Sequence, residues 1–198
     1  VELIIVRHGL PERVQKASGA ADPALAPEGH EQARRLAQYL GTERIDAIYA
    51  SPLNRARQTA APLAQLLNTE PTVVDEIAEF DRNASEYIPL EELKAANDPR
   101  WHALMAGEWE DHGESPEQFR SRVVDAFETM ISEHGSQRVV AVCHGGVINQ
   151  YLAHVLQIST TVGFFYPAYT SIHRVSASRS GVRSILSVNE IAHLRLPL

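Results

Sequence analysis

The stretch Ile4-Ile5-Val6-Arg7-His8-Gly9 decides how this chain is read, because an apolar strand there delivers Arg-His-Gly into a loop. A second histidine sits in the same context far downstream, in Val139-Val140-Ala141-Val142-Cys143-His144-Gly145-Gly146. Two β-branched runs that each end in His-Gly place both imidazoles at the same edge of one sheet. Together they point to an active site that handles phosphate on histidine.

Working outward, strand patterns fall at Glu2–Val6, Ala47–Ala50, Thr72–Val74 and Arg138–Cys143, then at Ser171–Val175 and Ile185–Val188. Helical periodicity separates most of them. Ala33, Leu36, Ala37 and Leu40 share one face of a helix over roughly 28–40. Ala56, Ala60, Leu63, Ala64 and Leu67 do the same over roughly 52–68, where Pro62 marks a place to kink. Over 116–133, Ser115 reads as an N-cap, Pro116 suits the first helical position and Gln118 completes a capping box. A shorter helix follows Gly146. Alternating strands and helices predict a three-layer α/β/α sandwich on a mostly parallel sheet, with 1–198 as one domain. An irregular or helical region is inserted around 80–114, where a lid or substrate wall would sit.

Composition bounds the function. The chain has 198 residues, 44% hydrophobic and 22% charged, with a formal net charge of -7. An acidic chain without a Lys/Arg run argues against nucleic acid or an anionic membrane as partner. Cys143 is the single cysteine, so no intrachain disulfide and no Cys-rich zinc cage is expected. No apolar run reaches transmembrane length, and residues 1–30 carry no charged-then-apolar leader. The expectation is a cytoplasmic protein, with no signal of its oligomeric state.

His8 follows a strand directly, and Gly9 permits a sharp turn and close backbone approach. A neutral imidazole is nucleophilic once its other nitrogen fixes the tautomer. Arg7 offers paired N–H donors that match phosphate oxygens. Ser51-Pro52-Leu53-Asn54-Arg55-Ala56-Arg57-Gln58-Thr59-Ala60 follows the strand Ala47–Ala50. Ser51 is placed to cap the helix, leaving Arg55 on its first turn, Thr59 one turn later and Arg57 on the solvated face. An arginine at a helix N-terminus makes a phosphate site. His144 donates to a phosphoryl oxygen in this reading, while Gly145 and Gly146 turn the chain and expose the next helix N-terminus.

These three segments, in this order, resemble the histidine phosphatase superfamily, the phosphoglycerate-mutase-like fold. Leu25-Ala26-Pro27-Glu28-Gly29 with Gln32-Ala33, and Asn189-Glu190-Ile191-Ala192-His193-Leu194, extend the likeness over about residues 2–194. The resemblance implies that His8 takes the phosphoryl group, that Arg7, Arg55 and His144 form a positive cradle, and that an acid after the third strand donates the proton. Glu79 fits best, ahead of Asp75, Glu76 and Asp81. Burial beside Phe80 would raise its pKa to suit.

Departures from the family pattern are also present. Leu10-Pro11-Glu12-Arg13-Val14 lacks the asparagine that often touches the phosphoryl group, so Arg13 or a backbone N–H is expected to replace it. Ala26 stands where a threonine often caps the first helix, at a cost to helix stability. Cys143 and His144 are neighbours on a strand and point to opposite faces, so the thiol reads as core. His102 and His112 fall in the irregular region, His154 and His193 read as structural, and the implied chemistry needs neither metal nor cofactor. Tyr87, Phe80, Trp101 and Trp109 hint at an apolar or aromatic leaving group, and the segment from Thr170 to Leu194 at a pocket rim.

The implied activity is hydrolysis of a small phosphate monoester through a phosphohistidine. A mutase-type phosphotransferase and a non-catalytic phosphate- or phosphopeptide-binding module are the alternatives. Residues 80–118 hold only Arg82, Lys94 and Arg100 as basic groups, which favours the phosphatase over a mutase that must grip further anionic groups.

Overall fold

A computed structural model describes residues 1–108, 113–161 and 163–195. The elements run β1 (Glu2–Arg7), β2 (Val14–Gln15), α1 (Pro27–Leu40), β3 (Ala47–Ala50), α2 (Asn54–Leu67), β4 (Thr72–Val73) and a 3-10 turn (Asp75–Ile77). Then come β5 (Glu86–Tyr87), α3 (Leu90–Ala95), α4 (Pro99–Met105), α5 (Pro116–Glu133), β6 (Arg138–Cys143), α6 (Gly145–Leu156), β7 (Ile172–Ala177), β8 (Arg183–Glu190) and α7 (Ala192–Arg195). Trp109 and His112 lie outside the described residues.

The main sheet has the order β4-β3-β6-β1-β7-β8. Its first four strands are parallel, and β7 and β8 extend it antiparallel. The central strands are buried on both faces, as uninterrupted β-branched runs require. Leu3, Ile5, Val139, Ala141 and Cys143 face Phe119, Val123 and Phe127 of α5 and Ile148 and Tyr151 of α6. Ile4, Val6, Val140 and Val142 face the other way, against Leu36 and Leu40 of α1 and Ala60 and Leu63 of α2. Period-two alternation thus builds both cores of the three-layer sandwich from the same strands.

The local signals explain most boundaries. α5 starts with both hydrogen bonds of the capping box between Ser115 and Gln118. α1 starts at Ala26 with no side-chain cap and Pro27 at its first turn, and α2 runs through Pro62 as one element. The irregular insertion resolves into α3, α4 and a two-stranded sheet in which β2 pairs with β5. Val14–Gln15 and Glu86–Tyr87 lack the β-branched run that marks Thr72–Val74, which is why the sequence does not announce them. No helix among the described residues is long and apolar enough to cross a membrane.

Candidate active site

Strand register brings the two histidines together. β1 and β6 pair in parallel with Arg7 opposite Cys143, and the His8 amide donates to the Cys143 carbonyl at 2.9 Å. His8 and His144 therefore leave neighbouring strands at the same edge, with ring centroids 5.1 Å apart. His8 Nδ1 lies 2.8 Å from the Gly9 carbonyl, which only accepts, so Nδ1 carries the proton and Nε2 keeps its lone pair. Burial, then the charges of Arg55 and Arg7, hold the His8 pKa well below the usual histidine value. The ring is therefore neutral, with an unprotonated Nε2.

Gly9 is needed for space more than for its backbone angles. A Cβ there would stand 2.7 Å from the Gly29 carbonyl oxygen, and one at Gly29 would stand 2.1 Å from that of Leu10. The Gly9 amide donates to Thr59 Oγ1 at 2.9 Å, and the same hydroxyl donates to the Arg55 carbonyl at 2.7 Å. Thr59 thus ties the Arg-His-Gly loop to the first turn of α2.

Among the described residues, the buried nitrogens without a hydrogen-bond partner include Arg7 Nε, Arg55 Nε and His144 Nδ1 at this site, besides His193 Nδ1. Each unpaired donor costs about 1–3 kcal/mol, a cost a tetrahedral oxyanion removes by accepting from all three. The charges of both arginines bear on both imidazoles, and the Tyr169 ring touches both Arg7 and His8, so the four groups are neighbours. Arg7 is held by an Nη1 hydrogen bond to the Pro167 carbonyl at 2.6 Å and by the Tyr169 ring, 4.0 Å from its guanidinium carbon. Arg55 lies over the Tyr87 ring at 4.6 Å and pairs with Asp81 at 3.3 Å. Arg57 is exposed, as its place on the helix predicts.

Ser51 does not cap α2. The cap position is Leu53, and Ser51 Oγ lies 2.7 Å from His144 Nε2. A long-range partner outcompetes the local capping rule here. With Ser51 donating, the proton on His144 sits on Nδ1, which is buried without a partner among the described residues. Burial, then the charges of Arg55 and His8, press the His144 pKa well below the usual value. Gly145 begins α6 beside the cradle, where an added Cβ would lie 3.8 Å from Arg7 Nε.

Glu79 is buried just past the 3-10 turn. Its Oε2 accepts from the Gly146 amide at 2.8 Å and its Oε1 from the Phe80 amide at 3.1 Å. Burial, then the charge of Asp81, push its pKa up to about 7. Asp81 stands at Arg55, while Asp75 and Glu76 form the turn itself. Phe80 packs edge-on against Phe119 at 5.9 Å, a core contact rather than a wall for the leaving group.

Arg13 stands apart from the cradle. It is exposed and pairs with Glu92 of α3 at 3.7 Å. The backbone alternative narrows too: the amides of His8, Gly9, Leu10 and Glu12 are engaged elsewhere, and Pro11 has none. Cys143 is buried in the core, its thiol pKa raised by burial and by Glu79. His102 bonds Asn97 on the surface, His154 is exposed, and His193 is buried against Thr170 Oγ1.

Sequence reasoning misses the wall beside the cradle. Tyr166 and Tyr169 come from the loop before β7, and both hydroxyls donate to Glu91 of α3 at 2.5 Å. Trp101 packs edge-on against Tyr166 at 6.2 Å. The segment from Thr170 onward supports this wall from behind, through Asn189 Oδ1 accepting from the Ala168 amide. Trp101 and the Thr170 segment are among the sequence expectations, but Tyr166, Tyr169 and Glu91 sit in no periodic or motif-like context that would single them out.

A three-layer sandwich with paired histidines at its strand ends, a buried carboxylic acid and an arginine cradle defines a phosphoryl-handling α/β enzyme. The family model for the histidine phosphatase superfamily (branch 1) matches residues 3–190. Phosphoserine phosphatase 1 of Hydrogenobacter thermophilus is 31% identical, over 98% of this chain and 94% of its own length. A solved phosphoserine phosphatase mutant from Entamoeba histolytica, in complex with phosphoserine, superposes with a TM-score of 0.77 at 25% identity, covering 98% of each chain. The phosphoserine phosphatase from the same organism in complex with 3-phosphoglyceric acid gives 0.77 at 26% over the same shares. This chain belongs to the histidine phosphatase superfamily, and its enzyme class is a phosphomonoesterase of that type.

Proposed function

We propose that residues 1–198 act as one domain that hydrolyses a small phosphate monoester in two steps through a phosphohistidine. His8 Nε2 attacks phosphorus in line, the bond from phosphorus to the ester oxygen breaks, and Glu79 gives its proton to the departing alcohol. The resulting Glu79 carboxylate then takes a proton from water as that water attacks phosphorus. Breaking the P–N bond releases inorganic phosphate and returns the lone pair to His8. Arg7 Nε, Arg55 Nε and His144 Nδ1 hold the transferring oxygens throughout, with Gly9 and Gly145 letting backbone approach closely.

The observation that carries this reading is a buried His8 whose Nδ1 bonds the Gly9 carbonyl, 5.1 Å from the His144 ring and under the charges of Arg55 and Arg7, whose Nε groups have no partner among the described residues. The raised pKa of Glu79 supports its double role, since a carboxyl near 7 both gives and takes a proton at neutral pH. Arg13 has a place only as a mobile contact that leaves Glu92 when substrate enters. The named substrate of the relatives makes phosphoserine-like esters the first to try. A single buried cysteine supports a cytoplasmic setting.

The test is release of inorganic phosphate from an aryl phosphate, with chelator present, by wild type, His8→Ala and Glu79→Gln. Wild type turns over and forms a base-stable, acid-labile phosphoenzyme, and His8→Ala does neither. Wild-type silence, or equal rates in all three, overturns the proposal. Phosphate that stays esterified on an added alcohol would identify a phosphotransferase instead.

A further inference from the structure

The cradle arginines do not stand as bare cations. Arg7 Nη1 has Glu91 Oε1 at 3.6 Å, and Arg55 Nη2 has Asp81 at 3.3 Å. Glu91 is the more telling of the two. Its side chain is 42% exposed, whereas that of Asp81 is 25% exposed and Arg55 itself is buried. The two tyrosine hydroxyls pin both Glu91 oxygens in the wall beside the cradle. Two tyrosine bonds use only part of the acceptor capacity of a carboxylate. Fixed negative charge therefore lies beside Arg7 and the Tyr169 ring, which is itself 5.8 Å from that of His8.

We propose that Glu91 is a specificity-determining residue that selects phosphate esters by the net charge on the leaving group, accepting an ammonium, a zwitterion or a neutral group and rejecting a net anion. This rests on the phosphatase reading above and deepens it. The phosphoryl dianion is met by Arg7, Arg55 and His144, whose charge is already partly offset by Glu91 and Asp81. A further carboxylate or phosphate with no ammonium beside it finds Glu91 instead of a free cation, while an ammonium finds an oriented acceptor. Lys94 of α3 does not reverse this balance, since its ammonium lies over the Trp101 ring at 5.5 Å. Arg13 is offset by Glu92 at 3.7 Å.

Three two-carbon esters that differ only in their far end test the idea: phosphoethanolamine, 2-hydroxyethyl phosphate and phosphoglycolate. Affinity for the His8→Ala protein is measured by calorimetry, so the result does not depend on turnover. Unit charges at half-buried distances of several ångströms change affinity by about tenfold. The expected order is phosphoethanolamine, then the neutral ester, then phosphoglycolate about tenfold weaker than the first. Adding Glu91→Gln collapses that spread, and adding Glu91→Asp keeps it. Tyr166→Phe with Tyr169→Phe removes the pinning bonds but not the charge, so the order persists while absolute affinity falls. A flat or inverted order with Glu91 present overturns the inference, as does an order that survives Glu91→Gln. If the expected order appears but wild type releases no phosphate, the phosphatase reading fails and the selectivity stands.

Discussion

Ser51 Oγ and His144 Nε2 are joined at 2.7 Å, and with Ser51 donating this one contact leaves the ring proton of His144 on Nδ1. A serine at the end of β3 thereby governs a histidine at the end of β6. Ser51→Ala frees Nε2 to take the proton and leaves Nδ1 an acceptor facing an anion. We expect kcat to fall about tenfold or more, the scale of one lost oriented donor, with restoration by Ser51→Thr. Steady-state kinetics on an alkyl phosphate measures it, and an unchanged kcat contradicts the assignment.

Glu79 sets the alkaline limit. Its pKa is raised to about 7 by burial and then by Asp81, so the protonated donor is lost as pH passes that value. The expected profile of kcat/KM declines above about 7. Glu79→Gln removes this decline and costs about 10²-fold or more on alkyl esters, and less on aryl phosphates, which leave without a proton. Stability follows the same sign. A folded pKa above the unfolded value of 4.5 gives a contribution that is full below 4.5 and vanishes as pH rises through 7. Melting temperatures of wild type against Glu79→Gln between pH 4 and 8 report it.

Gly146→Ala strikes the same acid without touching its charge. A Cβ at Gly146 would meet Glu79 Oε1 at 2.3 Å, so the carboxyl is displaced from the amide that holds it. A misplacement of that size costs on the order of 10²-fold in rate. The loss is larger on alkyl esters than on aryl phosphates, which leave without a proton but still need Glu79 to activate water, and comparison of the two substrates checks it.

Thr59→Val tests the tie between the Arg-His-Gly loop and α2. It removes two buried hydrogen bonds and strands the Gly9 amide, a loss of about 2 kcal/mol. For a chain of this size the melting temperature should drop by about 4–8 °C. Calorimetry of the folded variant settles the magnitude.

Ala26→Thr should act in the other direction. α1 begins at Ala26 without a side-chain hydrogen bond, and a capping hydroxyl there is worth about 1 kcal/mol. Thermal unfolding should shift upward by about 2–4 °C.

The chemistry-bearing residues were legible because each sits directly after a strand or in the first turn of a helix. There, local pattern and sheet register suffice to place Arg7, His8, Arg55 and His144. Glu79 needed the resemblance, since acids crowd Asp75–Asp81 and only burial under Gly146 singles one out. Ser51 was misassigned because a local capping rule and a distant imidazole compete for one hydroxyl. Tyr166, Tyr169 and Glu91 stayed hidden for another reason. Their roles exist only where the loop before β7 meets α3, and no periodicity within either segment encodes that meeting.

The six-pair register between β1 and β6 has an evolutionary consequence. It anchors the reactive imidazoles to the most deeply woven part of the molecule, while the groups that inspect the rest of the ester hang from short helices and loops. Mutation can therefore retune which esters are welcome at little risk to bond cleavage, and a lineage built on this scaffold can diversify its diet without reinventing its chemistry.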